Sequence, residues 1–252
     1  MKNKLRGLFF CLLSTSGLVS TVCAESVKLK SNIVLSHGAY VGGELGYDYS
    51  KITYENFLFK FPTSHGPSTL SGDAHFAATG FVGGGFVGYG QSLPNHLYLG
   101  AELFANGVTS STSNEAVYDH FHAIGRYDGN GYNNTVSVKN NVGISILPGI
   151  QIHQNVLFYG RLGYSQAHIS GNENIVFYSE PLGLPESRIP HPFSSSPNGF
   201  HYGLGIETAL VKQFSLRAEL NHTDYQSFKT RLNNAMTVST NQAMLSLLYH
   251  FS

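Results

Sequence analysis

The sequence predicts an all-β protein: an eight-stranded antiparallel up-and-down transmembrane β-barrel with four long extracellular loops. Three observations carry that expectation. The last stretch of the chain alternates with a period of two, with Phe251, Tyr249, Leu247, Leu245 and Ala243 on one face and His250, Leu248, Ser246, Met244 and Gln242 on the other. Such a strand lies between two different surroundings. The chain is only 12% charged, about half the globular average of roughly 25%, yet beyond its first two dozen residues it has no apolar run long enough for a spanning helix. Finally, the alternating segments are joined by connections that are long and short in turn, as extracellular loops and periplasmic turns are.

The N-terminus carries Lys2, Lys4 and Arg6, an apolar run from Leu8 to Leu13, and a small-residue end at Val22-Cys23-Ala24. It reads as a secretory signal peptide over residues 1–24. The apolar run is too short for a membrane anchor, and bulky Val22 argues against lipid modification of Cys23. Both cysteines, Cys11 and Cys23, leave with the signal, so the mature chain is expected to form no disulfide and to have no cysteine metal site or nucleophile. Cleavage takes Lys+Arg from 15 to 12 against 15 Asp+Glu, a net charge of 12 − 15 = −3 with His neutral. No run of basic residues occurs, which excludes a strongly basic nucleic-acid binder.

Residues 25–36 form a short polar lead on the periplasmic side, and the barrel occupies 37–252. Strand one starts at Gly38 and sets Tyr40, Gly42, Glu44, Gly46 and Asp48 against Val41, Gly43, Leu45, Tyr47 and Tyr49. Strand two, Ala74 to Gly90, is glycine-dense. After the turn Ser92-Leu93-Pro94-Asn95, strand three (His96 to Gly107) opposes Leu97, Leu99, Ala101 and Leu103 to Tyr98, Gly100, Glu102 and Phe104. Strand four spans Val136 to Ile150, and strand five follows the turn His153-Gln154-Asn155. A long segment, 170–198, then holds five of the nine prolines. Strand six runs from Gly199 to Leu210 and strand seven from Phe214 to Tyr225, with Val211-Lys212-Gln213 as the turn between them. A shorter loop, Gln226 to Thr237, precedes the closing strand. A soluble eight-stranded barrel would point its apolar face inward, but here one face of nearly every strand is charge-free, so lipid is expected outside and both termini in the periplasm.

Two segments, Gly38-Ala39-Tyr40-Val41-Gly42-Gly43-Glu44-Leu45-Gly46-Tyr47 and Leu216-Arg217-Ala218-Glu219-Leu220-Asn221-His222-Thr223-Asp224-Tyr225, with Tyr249 and Phe251 at the end, resemble the opacity and OmpA-type outer-membrane barrel family. Leu220 and His222 stand where that family often has aromatics, and Ser252 follows the usually terminal Phe. The resemblance covers the transmembrane barrel without the peptidoglycan-binding domain. It implies a bacterial outer-membrane protein that contacts lipid and the barrel assembly machinery, the latter through the closing-strand signal Tyr249 and Phe251.

Within that fold, Glu44, Glu102, Lys139, Arg161, Glu207, Arg217 and Glu219 are expected to face the lumen. The interior of an eight-stranded barrel is just wide enough for side chains to fill, and charges confined there must pair. The expectation is a salt-bridge network that plugs the bore; a network whose pairs exchange and gate a narrow water path is the sharper alternative. Gly83-Gly84-Gly85-Phe86-Val87-Gly88 matches the spacing of a dinucleotide-binding turn but lacks a following helix. His120 and His122 lack a third ligand at a recognisable spacing. His222, Asp224 and Ser227 cluster near the end of strand seven, where catalysis would need a serine within reach of the imidazole. No enzyme, cofactor or metal is therefore expected. The twelve histidines could carry the charge from −3 to +9 if all were protonated.

Phe57, Leu58, Phe59 and Phe61 in the first loop, and Phe177 and Tyr178 in the third, place aromatics beyond the membrane band. Such patches mark contact sites for partners, or else hairpins that pack on one another above the bilayer. The family resemblance favours a surface antigen or adhesin that contacts host cells, with a host-cell receptor as partner and a monomeric barrel. A small pore or a structural envelope barrel is the alternative.

Overall fold

The computed structural model describes residues 37–63, 66–122, 126–179 and 184–251, with side chains for 37–55, 74–113, 133–174 and 189–251. The expected signal peptide and polar lead lie outside the described residues. Ten strands follow in order: β1 (Gly38–Thr63), β2 (Gly66–Ser92), β3 (Leu97–His122), β4 (Arg126–His153), β5 (Val156–Ser179), β6 (Leu184–Ser195), β7 (Asn198–Val211), β8 (Phe214–Tyr225), β9 (Phe228–Lys229) and β10 (Ala235–His250). Every pairing is antiparallel, and β10 pairs with β1 to close the sheet.

These strands make eight staves. β6 and β7 both pair with β5 in one register from Val156 to Phe177, Ile169 opposite Ser195 and Gln166 opposite Asn198. Pro197 interrupts the ladder because it has no N–H to donate, while its carbonyl still accepts from the Ala167 amide at 3.1 Å. β9 is a two-residue arm on β10. Cα partners followed from Glu44 reach Ala167 on β5 through Gly84, Asn106 and Asn141. In the other direction they reach Leu157 through Ser246, Arg217 and Glu207. The two landing points differ by 167 − 157 = 10 residues, and a stagger of this kind is what tilts barrel strands by roughly 35–45°.

At the periplasmic end the turns are tight. Gln154-Asn155 joins His153 to Val156, and Lys212-Gln213 joins Val211 to Phe214. Between β2 and β3 a short 3-10 turn places Asn95 at φ 61, a left-handed conformation that asparagine tolerates better than most residues. The terminal strand is held at both edges, since the Phe251 amide donates to Ala39 and the His250 amide to Gln213.

The expected long loops are mostly strand. β1 to β5 run 24 to 28 residues each, against the 9–11 or so that cross a bilayer. The reason lies in the alternation. Along β1, Val41, Leu45, Tyr47 and Tyr49 point outward while Glu44, Asp48 and Ser50 are buried; from Lys51 onward the outward residues are Lys51 and Glu55 and the buried ones Ile52 and Tyr54. The backbone keeps its phase and the apolar face changes sides. β5 does the same, passing from outward Phe158, Leu162 and Tyr164 with buried Arg161 and Ser165 to outward Gln166 with buried Ala167 and Ile169. Water replaces hydrocarbon around the wall at that level, so the hydrophobic effect now fills the bore. Ile52, Tyr54, Ala78, Val108, Val136, Val138, Ile169, Phe193, Tyr225, Met236 and Val238 form one apolar core inside this upper shaft. Glu173, also buried there, accepts from the Leu232 amide at 3.3 Å and from Asn234 at 3.4 Å, tying the β8–β10 connection across the shaft.

Two substitutions separate the two regimes. Ile169→Ala opens a cavity in the water-surrounded core and should cost about 2–5 kcal/mol. Leu45→Arg places a charge on the lipid-facing wall and should cost about 2–4 kcal/mol near the midplane. Urea unfolding in lipid vesicles measures both.

Candidate functional site

The lower bore is built from the inward positions of the membrane-spanning strands, where polar residues alternate with glycines and rings. The glycines receive the rings: Tyr40 lies over its cross-strand partner Gly88, Phe86 over Gly42, and Tyr159 over Gly205. At Gly143 a Cβ would come within 2.6 Å of the Phe104 ring and also of the Tyr164 carbonyl. A ring laid across a strand glycine recovers packing that the missing side chain would lose, which accounts for the glycine-dense β2 and for Gly83–Gly88 as strand.

Those rings frame an ion network. Glu102 receives both guanidinium groups, Arg161 and Arg217, and the Tyr40 hydroxyl at 2.9 Å. Arg161 also meets Glu219 at 3.1 Å, and Arg217 meets Glu207 at 2.9 Å. Tyr159 donates to Glu219 at 2.6 Å and Ser215 to Glu207 at 2.6 Å, while His250 faces Glu207 at 3.1 Å. The Arg217 guanidinium sits 4.9 Å from the Phe86 ring centre and 5.2 Å from that of Tyr159, and Arg161 lies 5.5 Å from that of Phe104. Every member of the network is buried. At this depth only such multiple partnering offsets the desolvation of a charge.

Five of the seven charges read from the sequence are thus brought together: Glu102, Arg161, Glu207, Arg217 and Glu219. Glu44 is buried beside them, with one carboxylate oxygen not hydrogen-bonded to protein. Lys139 is a correction: it is exposed. A β-bulge between Val138 and Asn140 adds a residue and reverses the inward parity counted from Asn141. Sequence reasoning left out Asp48, which accepts from Ser50 at 2.7 Å and Gln242 at 2.9 Å, together with His250, His201, Tyr40 and Tyr159. Parity within a strand was the available signal: Tyr40 and Asp48 share it with Glu44, Tyr159 with Arg161 and His201 with Glu207, while His250 stands on the mixed face of the closing strand. Among the described residues this bore holds five acids, Glu44, Asp48, Glu102, Glu207 and Glu219, against two arginines. Above the network, Asn106, Asn141, Asn221, Ser145 and Ser165 form a buried polar layer that faces inward.

The remaining sequence candidates separate clearly. Both ring nitrogens of His222 are engaged, one with Asn241 at 2.8 Å and the other with Asp224 at 3.0 Å, and exposed Ser227 lies beyond the end of β8, so the three do not form a nucleophilic triad. His201 and His250 are buried in the bore, so the histidines are not a single surface population. The side chains of His120 and His122 lie outside the described residues, and no group of three or more His, Cys, Asp or Glu side chains among the described residues could hold a metal. Phe57, Leu58, Phe59 and Phe61 have strand backbone paired with β2, and Phe177 and Tyr178 have strand backbone paired with β4 and β6; their side chains lie outside the described residues. Tyr249 and Phe251 pack edge to face at 5.1 Å on the outer wall near the periplasmic end, and Tyr249 meets Phe214 at 5.2 Å.

Arg217→Met would leave Glu102 short of one cation and Glu207 without either of its arginine contacts, and should destabilise the barrel by about 3–5 kcal/mol. Adding Glu207→Gln should recover part of that loss. Unfolding of the single and double variants in lipid vesicles checks the pair, and a double variant no more stable than the single one would count against it.

Three solved structures match this chain at low sequence identity. Ail, the attachment invasion locus protein of Yersinia pestis, is 15% identical with a TM-score of 0.36, over 86% of this chain and 100% of Ail. Neisserial surface protein A is 13% identical with a TM-score of 0.42, over 85% of this chain and 97% of its own. The outer membrane protease OmpT of Escherichia coli is 10% identical with a TM-score of 0.40, over 86% and 99%. No protein of curated function matches the sequence. The model of the outer membrane protein beta-barrel domain, however, matches residues 18–251, and it agrees with the closed ladder and the lipid-facing wall. The chain therefore belongs to the outer membrane protein beta-barrel domain family and resides in the bacterial outer membrane.

Proposed function

We propose that this outer-membrane barrel is a surface antigen of adhesin type, which holds the tips of its hairpins out to contact host cells or another partner surface. The observation that carries this reading is the apolar core of the upper shaft. A porin-like channel gains nothing from filling its extracellular continuation with Ile52, Val136, Val138, Ile169 and Val238, whereas a stalk that must project its tips does. Rigid scaffolds that hold short variable segments are where binding residues concentrate. The tips here are 56–73, 114–132 and 175–188, carried on ladders that continue to Thr63, His122 and Ser179.

The second reading, a small pore, draws on the polar layer of Asn106, Asn141 and Asn221 above the ion network. It requires the Arg161 and Arg217 pairs to part. Single-channel recording in planar bilayers addresses it, and stepwise current from the wild-type protein would favour the pore.

Replacing the three tips with two-residue Asn-Gly turns, which close hairpins without strain, should leave a folded, heat-resistant barrel that has lost at least about tenfold in binding to host cells. Undiminished binding by the shortened barrel would remove the adhesin reading.

A further inference from the structure

The outer wall is not uniformly apolar. One row of Cα partners runs Tyr49, Asn241, His222 and Tyr202 across β1, β10, β8 and β7. The row beneath it runs Tyr47, Ala243, Leu220, Leu204 and Gly160. Together they line a depression of about 750 Å3, with Tyr47 and Tyr49 at one side and Tyr202 and Leu162 at the other. Its floor drops at Ala243 and Gly160, where the side chains are short or missing. Tyr47, Leu204, Leu220 and Ala243 also line a second depression of about 1470 Å3, which continues along the wall past Leu45, Ala218, Ile206 and Leu245. The result is an apolar trough that lies at the level of hydrocarbon and ends, at the headgroup level, in a polar cluster.

That cluster is hydrogen-bonded within itself and still open. His222 joins Asn241 and Asp224, the Tyr202 hydroxyl donates to Asp224 at 3.4 Å, and the Tyr202 and His222 rings lie 5.0 Å apart. The Asp224 side chain remains 59% exposed. Neither the fold nor the ion network uses these four residues, and polar groups on an outward wall beside lipid are costly unless something polar meets them. A carboxylate, an amide, an imidazole and a phenol beside a ring face offer donors and acceptors suited to hydroxyls. By register Lys51 shares the row of Asp224, two strands away (Lys51 to Ser239 to Asp224); the charge within the cluster itself is the Asp224 carboxylate, which is poorly matched to an isolated phosphate.

We propose that this groove binds one glycolipid of the outer leaflet, with an acyl chain in the trough and sugar hydroxyls on Asp224, Asn241, His222 and Tyr202. The site stands apart from the hairpin tips and does not depend on their role.

The test uses the full barrel in nanodiscs of phosphatidylethanolamine doped with either a hexosyl-diacylglycerol or phosphatidylglycerol, with retained lipids counted by native mass spectrometry. Wild-type protein should retain one hexosyl lipid about tenfold more readily than the phospholipids. Asp224→Asn with Asn241→Ala should abolish the preference, and Ala243→Phe, which fills the trough and leaves the polar cluster alone, should do so independently. Lys139→Ala, on another part of the wall, should change nothing. Equal retention of all lipids, a preference for phosphatidylglycerol, or an unchanged preference in both the polar and the trough variants would overturn the proposal.

Discussion

The structure depends on which solvent each side of the wall meets. A closed antiparallel ladder satisfies every strand's backbone internally, and this lets β-structure sit in hydrocarbon at all. What remains free is the choice of side chain on each face. Where lipid is outside, the apolar set points outward and the bore must be filled with groups too polar for lipid. Where water is outside, the set reverses and the bore fills with aliphatic and aromatic side chains. One strand such as β1 crosses that boundary between Tyr49 and Lys51 with no break in its backbone.

The two fillings solve different problems. In the lower bore, charges are so close together that each must have several partners, and Glu102 anchors the set because two arginines and a tyrosine hydroxyl converge on it. Glycine provides the room, since Gly42, Gly88 and Gly205 each lie under a ring that also lies beside or stacks on the network. In the upper shaft the described buried side chains are chiefly apolar, with Glu173 the charged exception, and ordinary core packing fills the hairpins. The network thus fills the membrane section of the bore, and the apolar core fills the part beyond it.

Much of this was legible in the residues, and the failures are instructive. The lower halves of the staves could be read because lipid enforces a strict apolar-out alternation; β8 was found at its observed bounds, Phe214 to Tyr225. The upper halves read as loops because Ser, Thr and Asn on their outward face mimic loop composition, while the inward Ile52 and Ile169 appear on the opposite parity from the apolar set below them. Lys139 was misplaced for a related reason, because parity counting cannot see a bulge. The prolines of 185–192 looked like loop breakers, yet Pro185, Pro190 and Pro192 lie on β6 above the bilayer, whose far side has no partner among the described strands, and an edge strand tolerates a missing N–H. The outer groove had no sequence signal beyond His222 standing where an aromatic was expected.

The reversal of the wall is the claim on which the rest stands, and the absence of cysteine after Cys23 makes it directly measurable. Single cysteines at 45, 47, 51, 52, 53 and 54, spin-labelled in lipid vesicles, would be probed with a lipid-soluble and a water-soluble relaxation agent. Positions 45 and 47 should respond to the lipid-soluble agent, 51 and 53 to the water-soluble one, and 52 and 54 to neither. Labels at 52 and 54 open to water, or a label at 51 still in hydrocarbon, would contradict a shaft that turns its apolar face inward above the membrane.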